Sequence, residues 1–293
     1  MGQVPERERE LHCEFFWSRQ QADGGFCGRT AASDVYYTAF ALRGLVVLGS
    51  DNRERAQRVA VYLRGQSHGR ASVIDLISLV LAARMLESWM GEIVFDSTTD
   101  WPSSVTRLLE KLRRPDGGYA KSDEGHASST YQTFLIALTY QLLELQQPEP
   151  QRAVEFILGQ QREDGGFVEI GVMRRSGTNP TAAAIGVMKI LDPQRITQLQ
   201  ASVTDFLLGN LTIEGGLRAN TQIPVADLLS TYTGLQTLHD VGSSDQLDRD
   251  VLLGFVHGLK QPTGGFFAAN WDDAVDVEYS FYGVALLGLL TAI

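Results

Sequence analysis

The chain has 293 residues, a formal charge of −10 and no basic run, so there is room for a large core while nucleic acid is set aside as a partner. No apolar stretch reaches the roughly 18 uncharged residues of a spanning helix, since segments such as 40–50 are short and contain Arg43, and residues 1–10 are too polar for a secretory signal. Two cysteines, Cys13 and Cys27, without metal-type spacing fit a reduced, cytoplasmic protein better than a disulfide framework or a zinc site. Along the chain, five Gly-Gly turns recur: Asp23-Gly24-Gly25-Phe26, Asp116-Gly117-Gly118-Tyr119, Asp164-Gly165-Gly166-Phe167, Glu214-Gly215-Gly216-Leu217 and Thr263-Gly264-Gly265-Phe266. Their spacing is about 48 to 50 residues except for a doubled first gap, which is the mark of stacked two-helix units. A sixth, decayed turn is expected at 64–70, giving six repeats.

After each turn a short polar loop leads to an apolar helix, expected at 34–48, 72–89, 128–145, 181–191, 227–238 and 276–290. Before each turn lies a more charged, amphipathic helix, such as 154–161 or 196–208. Residues 91–102 read as an insertion between the second and third repeats. No linker marks a domain boundary, so one domain over 1–293 is expected. The chain begins with an outer-type helix and ends in an inner one, without the polar capping repeats of an open solenoid. The expected fold is therefore all-α, an α/α toroid of six helical hairpins, with a central cavity at the N-terminal ends of the inner helices.

Aligned by their apolar patterns, the inner helices place Asp34, Asp75, Asp227 and Asp276 at one position, with Thr130 and Asn179-Pro180 in the other two repeats. A carboxylate repeated at helix starts reads first as a cap that accepts an orphan N–H and suits the dipole. Asp75 also reads as the partner of Ser72 in a capping box. Chemistry is to be sought where the repeats differ.

The turns, the starts Ser33-Asp34-Val35-Tyr36-Tyr37-Thr38 and Asp276-Val277-Glu278-Tyr279-Ser280-Phe281-Tyr282-Gly283, and the hairpin count together resemble the prenyltransferase and squalene-cyclase repeat superfamily over essentially the whole chain. Two branches are implied. The protein prenyltransferase β-subunits bind zinc with an Asp-x-Cys pair and a His; Asp227 matches, but the companion positions are Leu229 and Tyr279. Their diphosphate-binding Arg and Lys are also absent before Asp227, where only Arg218 is near. The class II terpene cyclases instead protonate an alkene with the middle acid of Asp-x-Asp-Asp. The nearest match is Asp276-Val277-Glu278-Tyr279, in which Glu278 takes the middle position.

That resemblance implies an isoprenoid or other lipid-like ligand, no metal and no cofactor, with Glu278 as the acid, Asp276 as its hydrogen-bond partner and helix cap, and Tyr36, Tyr37, Tyr131, Tyr232, Trp271, Tyr279, Phe281 and Tyr282 as the wall that stabilises cations. Other readings stand beside it. Glu278 also reads as a first-turn residue exposed at the rim. Asp272 and Asp273 are alternative acids, though loop acids are usually solvated, and Asp34 and Asp75 come next. Arg174-Arg175 suits a carboxylate or phosphate head group or a solvated surface, and His126 reads as exposed. A prenyltransferase-like protein and a non-catalytic toroid that binds a lipid or protein are the rival functions. A single toroid would close its cavity alone or as a homo-oligomer.

Overall fold

The computed structural model describes residues 4–66, 72–96 and 100–291. Among them are twelve α-helices: α1 (Glu6–Ser18), α2 (Val35–Leu48), α3 (Arg53–Gln66), α4 (Val73–Met90), α5 (Trp101–Glu110), α6 (Thr130–Leu142), α7 (Pro150–Gly159), α8 (Thr178–Leu191), α9 (Ile196–Leu208), α10 (Leu228–Asp240), α11 (Arg249–Leu259) and α12 (Val277–Leu290). The only named strands among the described residues are two-residue pieces. β1 (Phe26–Cys27) pairs antiparallel with β2 (Ser33–Asp34), and β3 (Tyr119–Ala120) with β4 (Ser128–Ser129). The all-α expectation therefore holds, with alternating polar and apolar helices. The 67–71 part of the expected sixth turn lies outside the described residues.

The chain forms two compact units, Met1–Trp101 with Val256–Ile293, and Pro102–Phe255. In the first, the apolar helix α2 packs between α4 and α12, which brings the two ends of the chain together. In the second, α8 packs between α6 and α10. These apolar helices carry rows of Leu, Ile, Ala and Val that are almost wholly removed from water, such as Leu42, Leu45, Ile136, Ile185, Leu235 and Leu286. Burial of such side chains is worth roughly 1.5–3 kcal/mol each before conformational entropy is counted.

The turns explain the repeat. The first glycine of each has φ between +86° and +97°, a region L side chains resist. It also lies against the next polar helix: a Cβ on Gly24, Gly117, Gly165 or Gly264 would run into the backbone carbonyl of Arg58, Arg152, Ser202 or Leu11 respectively. The aspartate before it folds back, with Asp23, Asp116 and Asp164 each accepting the N–H of the second glycine at 3.0–3.1 Å. The residue after the glycines, Phe26, Tyr119, Phe167, Leu217 or Phe266, is fully buried.

A hydroxyl on the apolar helix locks each turn to it. The N–H groups of Phe26, Tyr119, Phe167, Leu217 and Phe266 donate to Thr38, Thr133, Thr181, Thr231 and Ser280, at 2.9–3.1 Å. The four threonines donate in turn to the carbonyl of the helix-cap residue four positions back. Threonine suits the place because one hydroxyl both donates and accepts. In α4 the matching position is Leu76, and that helix starts instead with a capping box between Ser72 and Asp75.

This hydroxyl fixes the repeat register and corrects the alignment of the caps. Asp34, Asp227 and Asp276 do cap α2, α10 and α12, accepting the N–H three residues on. The cap of α6 is Ser129 rather than Thr130, and that of α8 is Gly177 rather than Asn179. Asp75 is not a cap but the third residue of α4. Helix α8 starts three residues before the expected 181, because Pro180 sits in its first turn, where a missing N–H costs nothing.

The last turn differs from the others. Thr263 replaces the aspartate, and the N–H of Gly265 donates instead to Nδ1 of His12 on α1, at 3.1 Å. The imidazole is 1% exposed and stacks on Phe266, with ring centroids 4.9 Å apart. Burial, opposed by the charge of Glu8 and aided by that of Lys260, pushes its pKa down to about 4.

Candidate functional site

Asp276 caps α12, which starts the helix in the register that carries Glu278 two residues on, beside the first turn of α2. There Glu278 Oε1 accepts two hydroxyl hydrogen bonds, from Tyr36 of α2 at 2.8 Å and from Tyr282, one turn along α12, at 3.2 Å. Oε2 has no hydrogen bond among the described residues. The side chain is half-buried rather than exposed at a rim. Burial pushes its carboxyl above the usual range, and the negative charge of Asp276 adds to this; the two tyrosines and the positive charge of Arg43 hold the rise back.

Aromatic rings surround the acid. Phe40, one turn along α2 from Tyr36, has its ring centroid 4.9 Å from that of Tyr36, 5.5 Å from Tyr282 and 5.7 Å from Phe281. Tyr37 packs edge-on against Tyr36, and Tyr279 against Tyr282. The guanidinium of Arg43 lies over Phe281, 3.9 Å from the ring centroid, and 5.0 Å from that of Phe40. Tyr36, Phe40 and Arg43 follow one face of α2 at helical spacing, a signal in the sequence from which Phe40 and Arg43 were readable but missed.

The expected hydrogen bond between Asp276 and Glu278 does not form. Asp276 accepts the Tyr279 N–H at Oδ1 (3.0 Å) and the Arg29 Nε–H at Oδ2 (2.8 Å), so it acts on Glu278 through its charge. Arg29 comes from the loop between β1 and β2 and also holds Asp272 in a two-pronged pair at 3.1 and 2.5 Å. The expectation of a solvated loop acid is thus corrected, since the Asp272 side chain is 6% exposed. Burial would raise its pKa, but hydrogen bonds from Arg29 and from backbone N–H groups outweigh that and hold it below the usual range. No sequence motif points to Arg29, which stands 243 residues from Asp272.

Of the remaining expected wall, Trp271 is 70% exposed, and Tyr131 and Tyr232 belong to the second unit, on α6 and α10. Asp273, His126, Arg174 and Arg175 are exposed. The zinc set of the prenyltransferase branch does not fit these residues. Asp227 receives the Ser230 N–H at one oxygen and the Ser230 hydroxyl at the other, 2.7 and 2.8 Å away, and its companion positions are Leu229 and Tyr279. Among the described residues no three His, Cys, Asp or Glu side chains converge as metal ligands.

A second acid with two tyrosine donors sharpens the contrast. In the second unit Glu110 Oε1 accepts the Tyr119 and Tyr140 hydroxyls, both at 2.8 Å, but its Oε2 is held by Arg113 Nε, also at 2.8 Å. Both Glu110 oxygens are engaged, as in a structural ion pair. Glu278 has the same tyrosine arrangement, with no hydrogen bond to its other oxygen among the described residues.

The model of the prenyltransferase alpha-alpha toroid domain matches residues 1–73, 79–223 and 220–293. No curated protein matches the sequence. Among solved structures, the chain is similar to Candida albicans protein geranylgeranyltransferase-I complexed with GGPP, at 14% identity and a TM-score of 0.70, covering 96% of this chain and 90% of that one. It is similar to a variant of the type II terpene cyclase MstE from Scytonema in complex with geranylgeranyl dihydroxybenzoate, at 15% identity and a TM-score of 0.65, covering 97% and 95%. It is also similar to a D-mannose isomerase, at 12% identity and a TM-score of 0.67, covering 99% and 98%. Likeness at this identity shows the fold, and the three differ in chemistry.

Proposed function

The chain belongs to the prenyltransferase α/α-toroid family, and on that premise we propose that it is a class II terpene-cyclase-like enzyme in which Glu278 protonates an isoprenoid alkene without a metal. The observation that carries this is the asymmetry of Glu278: one oxygen receives two tyrosine hydroxyls, the other has no hydrogen bond among the described residues, and aromatic rings cluster beside it. A carboxylic acid that starts a carbocation must stay protonated at rest, which desolvation favours, and must leave a stable carboxylate, which hydroxyl donors favour. Burial of Glu278 acts in the first direction and its two tyrosine donors in the second.

In the proposed step the proton on Oε2 passes to the less-substituted carbon of a trisubstituted alkene, whose π pair forms the new C–H bond. The tertiary cation left behind is captured by the next double bond. Tyr36, Tyr279 and Tyr282 offer electron-rich faces that stabilise positive charge without a nucleophilic lone pair at the ring. Loss of a proton to solvent from the last cation ends the sequence, and Glu278 is reprotonated from solvent, so product and substrate share one formula. The isoprenoid class is supported by two of the similar structures, which hold geranylgeranyl compounds.

The test is incubation of chelator-treated protein with free polyprenyl diphosphates, squalene and prenylated aromatic acids, followed by product analysis, with Glu278→Gln alongside. A cyclised product of unchanged formula that survives chelation and is lost in the variant supports the reading. Activity lost on chelation would return the protein to the prenyltransferases, and bound but unaltered substrate throughout would make it a binding toroid.

A further inference from the structure

Arg43 is a charged group with no carboxylate at ion-pair distance among the described residues. It makes no hydrogen bond or ion pair among the described residues, although it is half-buried. Arg29, by comparison, is balanced by two carboxylates, and Arg113 by Glu110. What holds Arg43 is aromatic: the faces of Phe281 and Phe40 at 3.9 and 5.0 Å. These rings touch Tyr282 and Tyr36, whose hydroxyls hold Glu278. A guanidinium stays protonated at any working pH, so its charge at this place is permanent.

We propose that Arg43 is a positioning residue whose fixed positive charge stabilises the carboxylate left on Glu278 once the proton has gone. The inference rests on Glu278 being the acid of the preceding section. With Glu278 protonated, as the preceding section proposes, Arg43 stands near a neutral acid; after proton transfer the two are opposite charges across the same ring cluster. The other groups near Glu278 do not supply this. On α2 these are the neutral hydroxyls of Tyr36 and Tyr37, on α12 the hydroxyls of Tyr279 and Tyr282 and the carboxylate of Asp276, and beyond Asp276 the Arg29–Asp272 pair. Asp276 opposes ionisation of Glu278, and Arg29 is already balanced. Arg43 is thus the uncompensated cation of the set, and its effect on Glu278 is to favour ionisation.

The readout is the carboxyl C=O infrared band of Glu278, assigned by its loss in Glu278→Gln and titrated with pH in the absence of any isoprenoid. In Arg43→Met and Arg43→Gln the midpoint is expected to rise by about one pH unit, and in Arg43→Lys, which keeps the charge, to stay near the wild-type value. An unchanged or lowered midpoint in both neutral variants overturns the proposal, as does a rise in Arg43→Lys equal to theirs, which would mark a packing effect. Because the titration needs no substrate, it stands apart from the product assay: absence of any cyclised product would overturn the cyclase reading and leave the coupling of Arg43 to Glu278 measured.

Discussion

His12 Nδ1 accepts the N–H of Gly265 across 253 residues of chain, taking the place that Asp23, Asp116 and Asp164 hold in their own turns. The packing matches too: Leu11 lies on the first glycine of the last turn as Arg58, Arg152 and Ser202 lie on theirs, so His12 follows Leu11 where Val59, Ala153 and Val203 stand in α3, α7 and α9. A histidine that must stay neutral to accept this bond ties stability to pH. Its pKa is about 4 folded against 6.5 unfolded, so the stabilisation is fully present above about 6.5 and is lost as pH falls toward 4. His12→Val is expected to be less stable at pH 7, by roughly 1–3 kcal/mol for the unmet Gly265 N–H, and flatter between pH 6.5 and 4. Thermal melts of both proteins across that range check it; parallel curves would defeat the assignment.

Glu278→Gln is expected to abolish product formation without loss of stability. The folded pKa of Glu278 is raised, so its favourable contribution is present below the unfolded value and lost as pH rises through the folded one. The glutamine variant should therefore gain on the wild type as pH goes from about 4 to 7, since it has no charge to bury. Melting temperatures at the two pH values give the comparison, and a variant that is inactive because it is unfolded would show at once.

Arg29→Met leaves the Asp272 and Asp276 carboxylates, 6% and 3% exposed, without their cation. Loss of one partner of a buried pair is strongly destabilising, on the order of 3–5 kcal/mol where both partners are buried, and less here because Arg29 is itself partly exposed. Asp272 is held below its usual pKa, so the wild-type advantage is present above pH 4 and fades as pH falls through the folded value. Urea unfolding at pH 7 and pH 3 should show a large difference at the first and a small one at the second.

Gly117→Ala and Gly254→Ala separate the two roles of glycine in this chain. The first combines φ of +92° with a clash against the Arg152 carbonyl, and more than about 2 kcal/mol of stability should be lost. The second sits in the exposed body of α11 with open space at the missing Cβ, where alanine should add roughly 0.5–1 kcal/mol. Denaturant midpoints of the two variants are expected on opposite sides of the wild type.

The glycine turns and apolar runs were readable because each is local: a positive φ and a row of Leu and Ala declare themselves in one segment. The starts of α6 and α8 were not, since Ser129 and Thr130 are equally good caps on paper and Asn179 outranks Gly177. Only the hydrogen bond that Thr133 or Thr181 accepts from the turn N–H tells them apart. Glu278 stood out by its position in the repeat, and Tyr36 and Tyr282 by their residue type. That Arg29 would bury Asp272 was not legible, because the pairing depends on two loops at opposite ends of the chain.

In α1 the last turn finds the same support that the earlier turns find in the helix that follows them. For the four earlier turns that support comes from the next polar helix in the chain, and for the last it comes from α1, far earlier in the sequence. The final turn thus depends on a helix from the opposite end of the sequence, so that whatever loosens α1 loosens that turn with it, although 253 residues of chain separate His12 from Gly265.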